Sequence, residues 1–195
     1  MQSEWDESAA VAAARAGDRE AFCALVERHQ EAAFRTAFLI TRDASEAEDV
    51  AQEAFVRAYR SIASFRAGGP FKPWLLRIVT NLALNSVRSK GRRAGLLQRF
   101  RPGPDEPAAD ATLVAGEDQT LLLRAINELS EDDRVILYLR YFMDLSEREL
   151  AIAIGRPTGT VKSRLSRASA RLRAVIEQRY PSLKPAGTAV GATDA

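Results

Sequence analysis

The amino-acid sequence predicts an all-α protein made of two small helical domains joined by a flexible linker. Three observations carry this. Apolar residues recur at spacings of three and four rather than two, and runs of β-branched residues are missing. Helix start and stop signals, an Asp or Ser at one end and a Gly at the other, punctuate the chain at helical intervals. The pattern lapses once, from Gly91 to Gly116, where Pro102, Pro104 and Pro107 stand among Gly and Ala with little apolar periodicity. At 195 residues and 46% apolar content, the chain can fill one ordinary core or two small ones.

The elements follow in order. Gly17 closes an Ala-rich first helix, and Asp18 caps a second whose apolar stripe is Phe22, Leu25, Val26, Ala33, Ala37 and Phe38. After a turn at Thr41 to Ala44, Ser45 and Glu48 form a capping box for a helix through Val50, Ala54, Phe55 and Tyr59 to about Ile62. The segment SFRAGGP, Ser64 to Pro70, reads as a loop, and Phe71 to about Ser89 as a further helix. Beyond the linker, Leu121, Leu122, Ala125, Ile126 and Leu129 mark one helix. Ser130 caps the next, which carries Val135, Ile136, Leu139 and Phe142 and ends near Met143. Ser146 and Glu149 box a short helix that Gly155 ends, and a last helix spans Thr160 to about Tyr180 before Pro181. The expected division is 1–90 for the first domain, 91–116 for the linker, 117–180 for the second domain and 181–195 for a disordered tail.

Net charge is only +2, but the charges are segregated. Residues 1–53 hold five Lys/Arg against twelve Asp/Glu, and Ala54 to Pro104 hold eleven Lys/Arg and no acid. Residues 105–149 return to four against twelve, and 150–176 to six against none. Two modules, each with a polyanion-facing half and a half turned elsewhere, produce such a pattern. No run of eighteen apolar residues occurs, and Met1 to Asp6 is polar and acidic, so no membrane insertion and a cytoplasmic location are expected. One cysteine, Cys23, and one histidine, His29, offer too few ligands for a structural zinc site. No metal and no cofactor are expected.

Three segments carry chemistry. Leu145 to Arg173 is a short capped helix, a Gly turn and a longer helix, the arrangement of a helix-turn-helix. Val161, Leu165, Ala168, Leu172 and Val175 pack inward, leaving Thr160, Ser163, Ser166, Arg167 and Ala170 outward with Lys162, Arg164 and Arg171 at the flanks. Small side chains admit the helix to a major groove, Arg pairs with guanine, and flanking cations meet phosphates. On the Phe71 helix, Trp74, Arg77, Ile78, Asn81, Asn85 and Arg88 share one face. Aromatic, amide and cationic groups together suit unpaired bases and their backbone, although a lone Trp is more often core than base platform. On the Ser45 helix, Glu46, Asp49, Gln52 and Glu53 form an acidic ridge that repels DNA and suits a protein partner.

Assembled, these segments resemble the extracytoplasmic-function group of bacterial sigma factors from about Ala16 to Arg179. Four blocks carry the resemblance in that group's order: DASEAEDVAQEAFVRAYRSIASFR, FKPWLLRIVTNLALNSVR, LSEDDRVILYLRYF and LSERELAIAIGRPTGTVKSRLSRASARLR. The resemblance implies that the first domain is region 2 and the last region 4. It further implies that Asp49, Gln52, Glu53 and Arg57 dock on the clamp helices of the largest RNA polymerase subunit. Ser64, Phe65, Arg66, Ala67 and Gly68 match the loop that captures a flipped base of the minus-ten element, with Asn81 beside it. Lys162, Ser163, Arg164, Ser166 and Arg167 match positions that read the minus-thirty-five element. The flap of the second-largest subunit and an anti-sigma factor, often membrane-bound, are further implied partners. Ser166 and Asn85 depart from what many relatives carry there, so the promoter sequence does not carry over. A helix-turn-helix operator-binding regulator is the alternative, but such proteins usually dimerise, and the acidic ridge would then have no use. Enzymatic action on DNA would require a nucleophile with its base, or carboxylates converging on a metal, and the sequence pattern provides neither.

Overall fold

The structure is a computed structural model that describes the backbone of residues 5–97 and 117–183, and the side chains of 5–90 and 121–183. The described residues form eight α-helices and no strand: α1 (Glu7–Arg15), α2 (Arg19–Thr41), α3 (Ala44–Ser61), α4 (Phe71–Leu97), α5 (Glu117–Asn127), α6 (Glu131–Tyr141), α7 (Glu147–Ile154) and α8 (Thr158–Arg179). No described helix is long and apolar enough to cross a membrane.

Helices α2, α3 and α4 pack against one another to make the first domain, with α1 laid on α2. Asp18 caps α2 as its position suggests, accepting from the Glu20 and Ala21 amides. Helix α3 begins two residues before the expected box places it. Asp43, not Ser45, takes the cap and accepts from the Glu46 amide at 3.0 Å, which leaves the Ser45 and Glu48 pair inside the helix. The chain can turn sharply there because Arg42 closes α2 in the left-handed conformation, φ 57°, where a carbonyl of α2 receives its amide. Helix α4 likewise overruns its expected end near Ser89 and continues to Leu97, so its last turns fall in residues read as linker. Nothing in Arg88 to Leu97 breaks a helix except Gly91 and Gly95, whose cost of about 1 kcal/mol each is small beside the propensity of the neighbouring Lys, Arg, Ala and Leu. Residues 98–116, the rest of the expected linker, lie outside the described residues.

In the second domain α6 packs between α7 and α8. Ser130 caps α6, and Ser146 with Glu149 makes the expected reciprocal box at α7. Gly155 ends α7 at φ 68°, and the chain enters α8 at Thr158, two residues earlier than expected, with Pro157 at the N-cap. Past α8 the chain makes a 3₁₀ turn at Pro181–Leu183 against α5, where the tail was expected to be disordered; the remainder of the tail lies outside the described residues. Tyr180 and Arg179 both bond Glu128, at 2.8 and 2.5 Å, fastening the end of α8 to the end of α5.

One buried residue of α2 is polar. His29 is 6% exposed and bonds Glu7 of α1 at 2.9 Å, with Phe71 of α4 against its ring. Burial lowers its pKa below the usual histidine value, more than the Glu7 carboxylate raises it. The unfolded chain therefore binds this proton more readily than the folded one. Stability from His29 is complete above about pH 6.5 and is lost as pH falls toward the folded-state value. Urea unfolding midpoints should drop between pH 7.5 and pH 5, and the drop should be smaller in a His29→Gln variant. Equal drops in both proteins would show that His29 titrates alike folded and unfolded.

Candidate nucleic-acid interface

The α7–turn–α8 segment presents the face that its periodicity suggests. Val161 and Ala168 are buried and Leu165, Leu172 and Val175 half-buried against α6 and α7, whereas Thr160, Lys162, Ser163, Ser166, Arg167 and Ala170 are exposed. Ser163 donates its hydroxyl to the Thr160 carbonyl, and Arg167 donates Nε to the Ser163 carbonyl at 3.2 Å, laying the guanidinium along the helix surface. Two arginines depart from expectation. Arg164 is half-buried and donates to Asp132 at 2.6 Å, and Arg171 donates to the buried Asp133 at 2.6 Å. Both pairs tie α8 to the first turn of α6.

On α4 the two faces also separate as their spacing requires. Leu75, Leu76, Val79 and Ala83 are buried, and Arg77, Asn81, Asn85 and Arg88 are exposed along the opposite side. Trp74 is half-buried, with its ring 4.7 Å from Phe65 and 5.6 Å from Phe71, so it belongs to an aromatic cluster. The loop before α4 hangs on the same cluster. A 3₁₀ turn at Ile62–Ser64 leads into Phe65, which is 6% exposed. Phe65 is therefore an anchor and not an open base platform, contrary to its place in the expected base-capturing loop. Ser64, Arg66, Ala67 and Gly68 around it are exposed. Gly68 sits at φ 69°, and a Cβ on Gly69 would lie 3.1 Å from the Arg66 carbonyl oxygen and 3.3 Å from the Phe65 ring, so this tight turn depends on the GG pair.

The ridge on α3 is exposed at Glu48, Asp49, Gln52 and Glu53. Glu46 does not belong to it. Its carboxylate is turned inward to Ser86 and Lys90 of α4 and ties the two helices together. Arg57 pairs with Glu53 one turn away at 2.7 Å. The sequence reading missed two apolar members of this surface. Val56 and Tyr59 are 43% and 41% exposed, and Tyr59 makes an edge contact with Phe22 at 5.0 Å. The signal was available in their spacing, since Val56 stands three residues after Glu53 and Tyr59 seven after Gln52, which puts them on or beside the acidic face.

The sigma-70 region 2 family matches residues 25–93, and the sigma-70 region 4 family matches residues 119–172. The RNA polymerase sigma-H factor of Pseudomonas aeruginosa is 36% identical over 78% of this chain and 84% of its own length. The ECF RNA polymerase sigma-E factor of Escherichia coli K12 is 34% identical over 86% of this chain and 93% of its own.

The chain belongs to the extracytoplasmic-function group of sigma factors. A solved structure of the sigma factor RpoE of Bartonella quintana, in complex with the anti-sigma factor NepR, has a TM-score of 0.66 and 26% identity and covers 81% of this chain and 98% of its own. The region 2 match takes in α3 and most of α2 and α4, and the region 4 match runs from α5 through α6 and α7 into α8. In region 2 the loop and the exposed face of α4 adjoin through the Phe65, Phe71 and Trp74 cluster. On α8, Thr160, Lys162, Ser163, Ser166 and Arg167 are exposed, whereas Arg164 and Arg171 are paired with acids of α6. Removing the Phe65 ring should collapse the loop's anchor. Phe65→Ala is expected to destabilise region 2 by about 3 kcal/mol, and Phe65→Leu by less than half as much, in urea unfolding. Equal and small effects would mean that the ring is not an anchor.

Proposed function

We propose that this sigma factor binds core RNA polymerase in the bacterial cytoplasm and directs it to promoters, without catalysing a reaction itself. The observation that carries this is the combination in one chain of two distinct exposed reading faces, on α4 and α8, with a protein-facing acidic and apolar ridge on α3. An operator-binding regulator would use one reading helix per subunit and a dimer contact.

In this reading Asp49, Gln52 and Glu53, with Val56 and Tyr59 beside them, meet the clamp helices of the largest subunit. Arg57 orients Glu53. Charged groups steer the encounter and the exposed apolar pair supplies desolvated area. The loop residues Ser64, Arg66, Ala67 and Gly68 and the α4 residues Asn81 and Asn85 receive an unstacked minus-ten base, while Arg77 and Arg88 hold the backbone. Base capture costs a few kcal/mol of unstacking, so it favours promoters whose duplex opens easily. Thr160, Lys162, Ser163, Ser166 and Arg167 read the minus-thirty-five duplex, and region 4 also meets the flap of the second-largest subunit. An anti-sigma factor controls the protein, in an envelope or stress response. The RpoE neighbour bound to NepR supports that regulation.

Run-off transcription with core polymerase on promoter fragments from its own genome should yield transcripts that require this chain. These transcripts should vanish in an Asp49→Lys, Glu53→Lys variant. Their persistence would move the polymerase surface elsewhere. On a promoter found this way, Arg167→Ala should weaken duplex binding by about 1–3 kcal/mol, and Arg171→Ala should leave it within about twofold, as read by fluorescence anisotropy. A larger loss from Arg171→Ala would return that residue to the DNA surface.

A further inference from the structure

A titratable group lies one layer beneath the loop that leads into α4. His29 of α2 is buried among rings, with Phe71 of α4 5.2 Å away and Trp5 6.4 Å away. A carboxylate oxygen of Glu7 stands 2.9 Å from its Nε2, so that nitrogen carries the proton and donates it. Glu7 opens α1, which lies on α2 and also meets the 3₁₀ turn at Ile62–Ser64. Phe71 in turn meets Phe65 edge-on at 6.1 Å, and Gly69 lies so close to the Phe65 ring that a Cβ there would fall 3.3 Å from it. An unbroken path of contacts therefore runs from Glu7 through His29, Phe71 and Phe65 to the exposed residues Ser64, Arg66, Ala67 and Gly68.

The charged groups that face the imidazole are Glu7 of α1, Arg28 of its own helix and Lys72 of α4. Arg28 lies over the Trp5 ring, 5.6 Å from its centre. Burial among these rings disfavours the imidazolium more than the Glu7 carboxylate favours it, and Arg28 and Lys72 oppose it further. The neutral ring has the acceptor that its N–H requires. An imidazolium in the same place is a cation in an apolar cluster, and it relaxes by drawing in water or by swinging outward. Either movement takes the support away from Phe71. An apolar side chain of similar size would fill the site without titrating, so the histidine adds a sensitivity to acid that packing alone does not require.

We propose that Glu7 and His29 are positioning residues for the minus-ten loop: through Phe71 and Phe65 they hold it in its reading shape, and protonation of His29 in mild acid releases the loop and weakens capture of an unpaired base. The consequence for DNA rests on the sigma reading, but the coupling of His29 to the aromatic cluster does not. The neighbouring charges set the direction of each substitution. Glu7 favours the protonated ring, so Glu7→Gln moves the loss of capture to lower pH. Arg28 opposes it, so Arg28→Gln moves the loss to higher pH. His29→Gln keeps a donor for Glu7 and does not titrate, so capture becomes insensitive to acid.

Holoenzyme formed from core polymerase and the full chain can be followed from pH 8 to pH 5.5 on a promoter that it transcribes. Fluorescence of 2-aminopurine in the minus-ten element reports unstacking, and anisotropy of a duplex carrying only the minus-thirty-five element reports region 4. Between pH 7.5 and pH 5.5 the parent's equilibrium for unstacking should fall about fivefold or more, as when one stacked base loses its seat, while binding of the minus-thirty-five duplex stays within about twofold. The midpoint of that fall should move down in Glu7→Gln and up in Arg28→Gln, and the fall should be absent from His29→Gln. The same fall at the same pH in all four proteins, or an equal fall in minus-thirty-five binding, would overturn the proposal. In a Trp5→Phe chain Trp74 is the only tryptophan, and its emission should move to the red in acid with His29 present and stay fixed once His29→Gln is added. Failure of the chain to support transcription would instead overturn the sigma reading. The emission of Trp74 would then still decide the coupling, and no red shift, or the same shift without the histidine, would overturn it.

Discussion

The arrangement of region 2 depends on Phe71. This ring is fully buried at the first position of α4, with His29 of α2 5.2 Å away, Trp74 of its own helix 5.6 Å away and Phe65 of the preceding loop 6.1 Å away. It joins three elements that the chain separates by up to 42 residues. His29 in turn reaches Glu7, so even α1 is tied to the same point. Aromatic clusters of this kind combine a large buried area with definite ring geometry, which is what a loop needs if it is to be held still beside a reading face. The exposed loop residues Ser64, Arg66, Ala67 and Gly68 owe their position to the buried Phe65 between them.

Region 4 is organised by charge as much as by apolar packing. Ser130, Asp132 and Asp133 open α6, and the two acids hold Arg164 and Arg171 of α8. The helix N-terminus favours those carboxylates where they stand, and the carboxylates fix the rotation of α8 about its axis. Two arginines expected at the DNA surface therefore hold α8 against α6. The acidic α3 ridge has a similar division of labour. Glu46 holds α3 to α4, and its neighbours Asp49, Gln52 and Glu53 face outward.

Most of the fold was legible in the sequence because local signals and packing agreed. Asp18, Ser130, Ser146 and Gly155 act as their positions indicate, and the inward stripe of α8 is the one its spacing gives. The exceptions have physical causes. Asp43 displaces Ser45 as the α3 cap because Arg42 accepts a left-handed backbone, which composition does not announce. Helix α4 outruns its apolar pattern because propensity continues where burial stops. The roles of Phe65, Arg164 and Arg171 were hidden because each is settled by a partner distant in the sequence: Trp74 nine residues on, and Asp132 and Asp133 more than thirty residues before. Helical spacing identifies which residues share a face, but not which face a neighbouring element covers.

The central claim is that one chain places a single-strand-reading surface on promoter DNA only when joined to polymerase. The most direct test is 2-aminopurine fluorescence at successive positions around minus ten of a promoter found for this chain. The account predicts that unstacking appears when chain and core polymerase are present together and with neither alone. Binding of the duplex by the chain without polymerase, with no position unstacking when core is added, would contradict it.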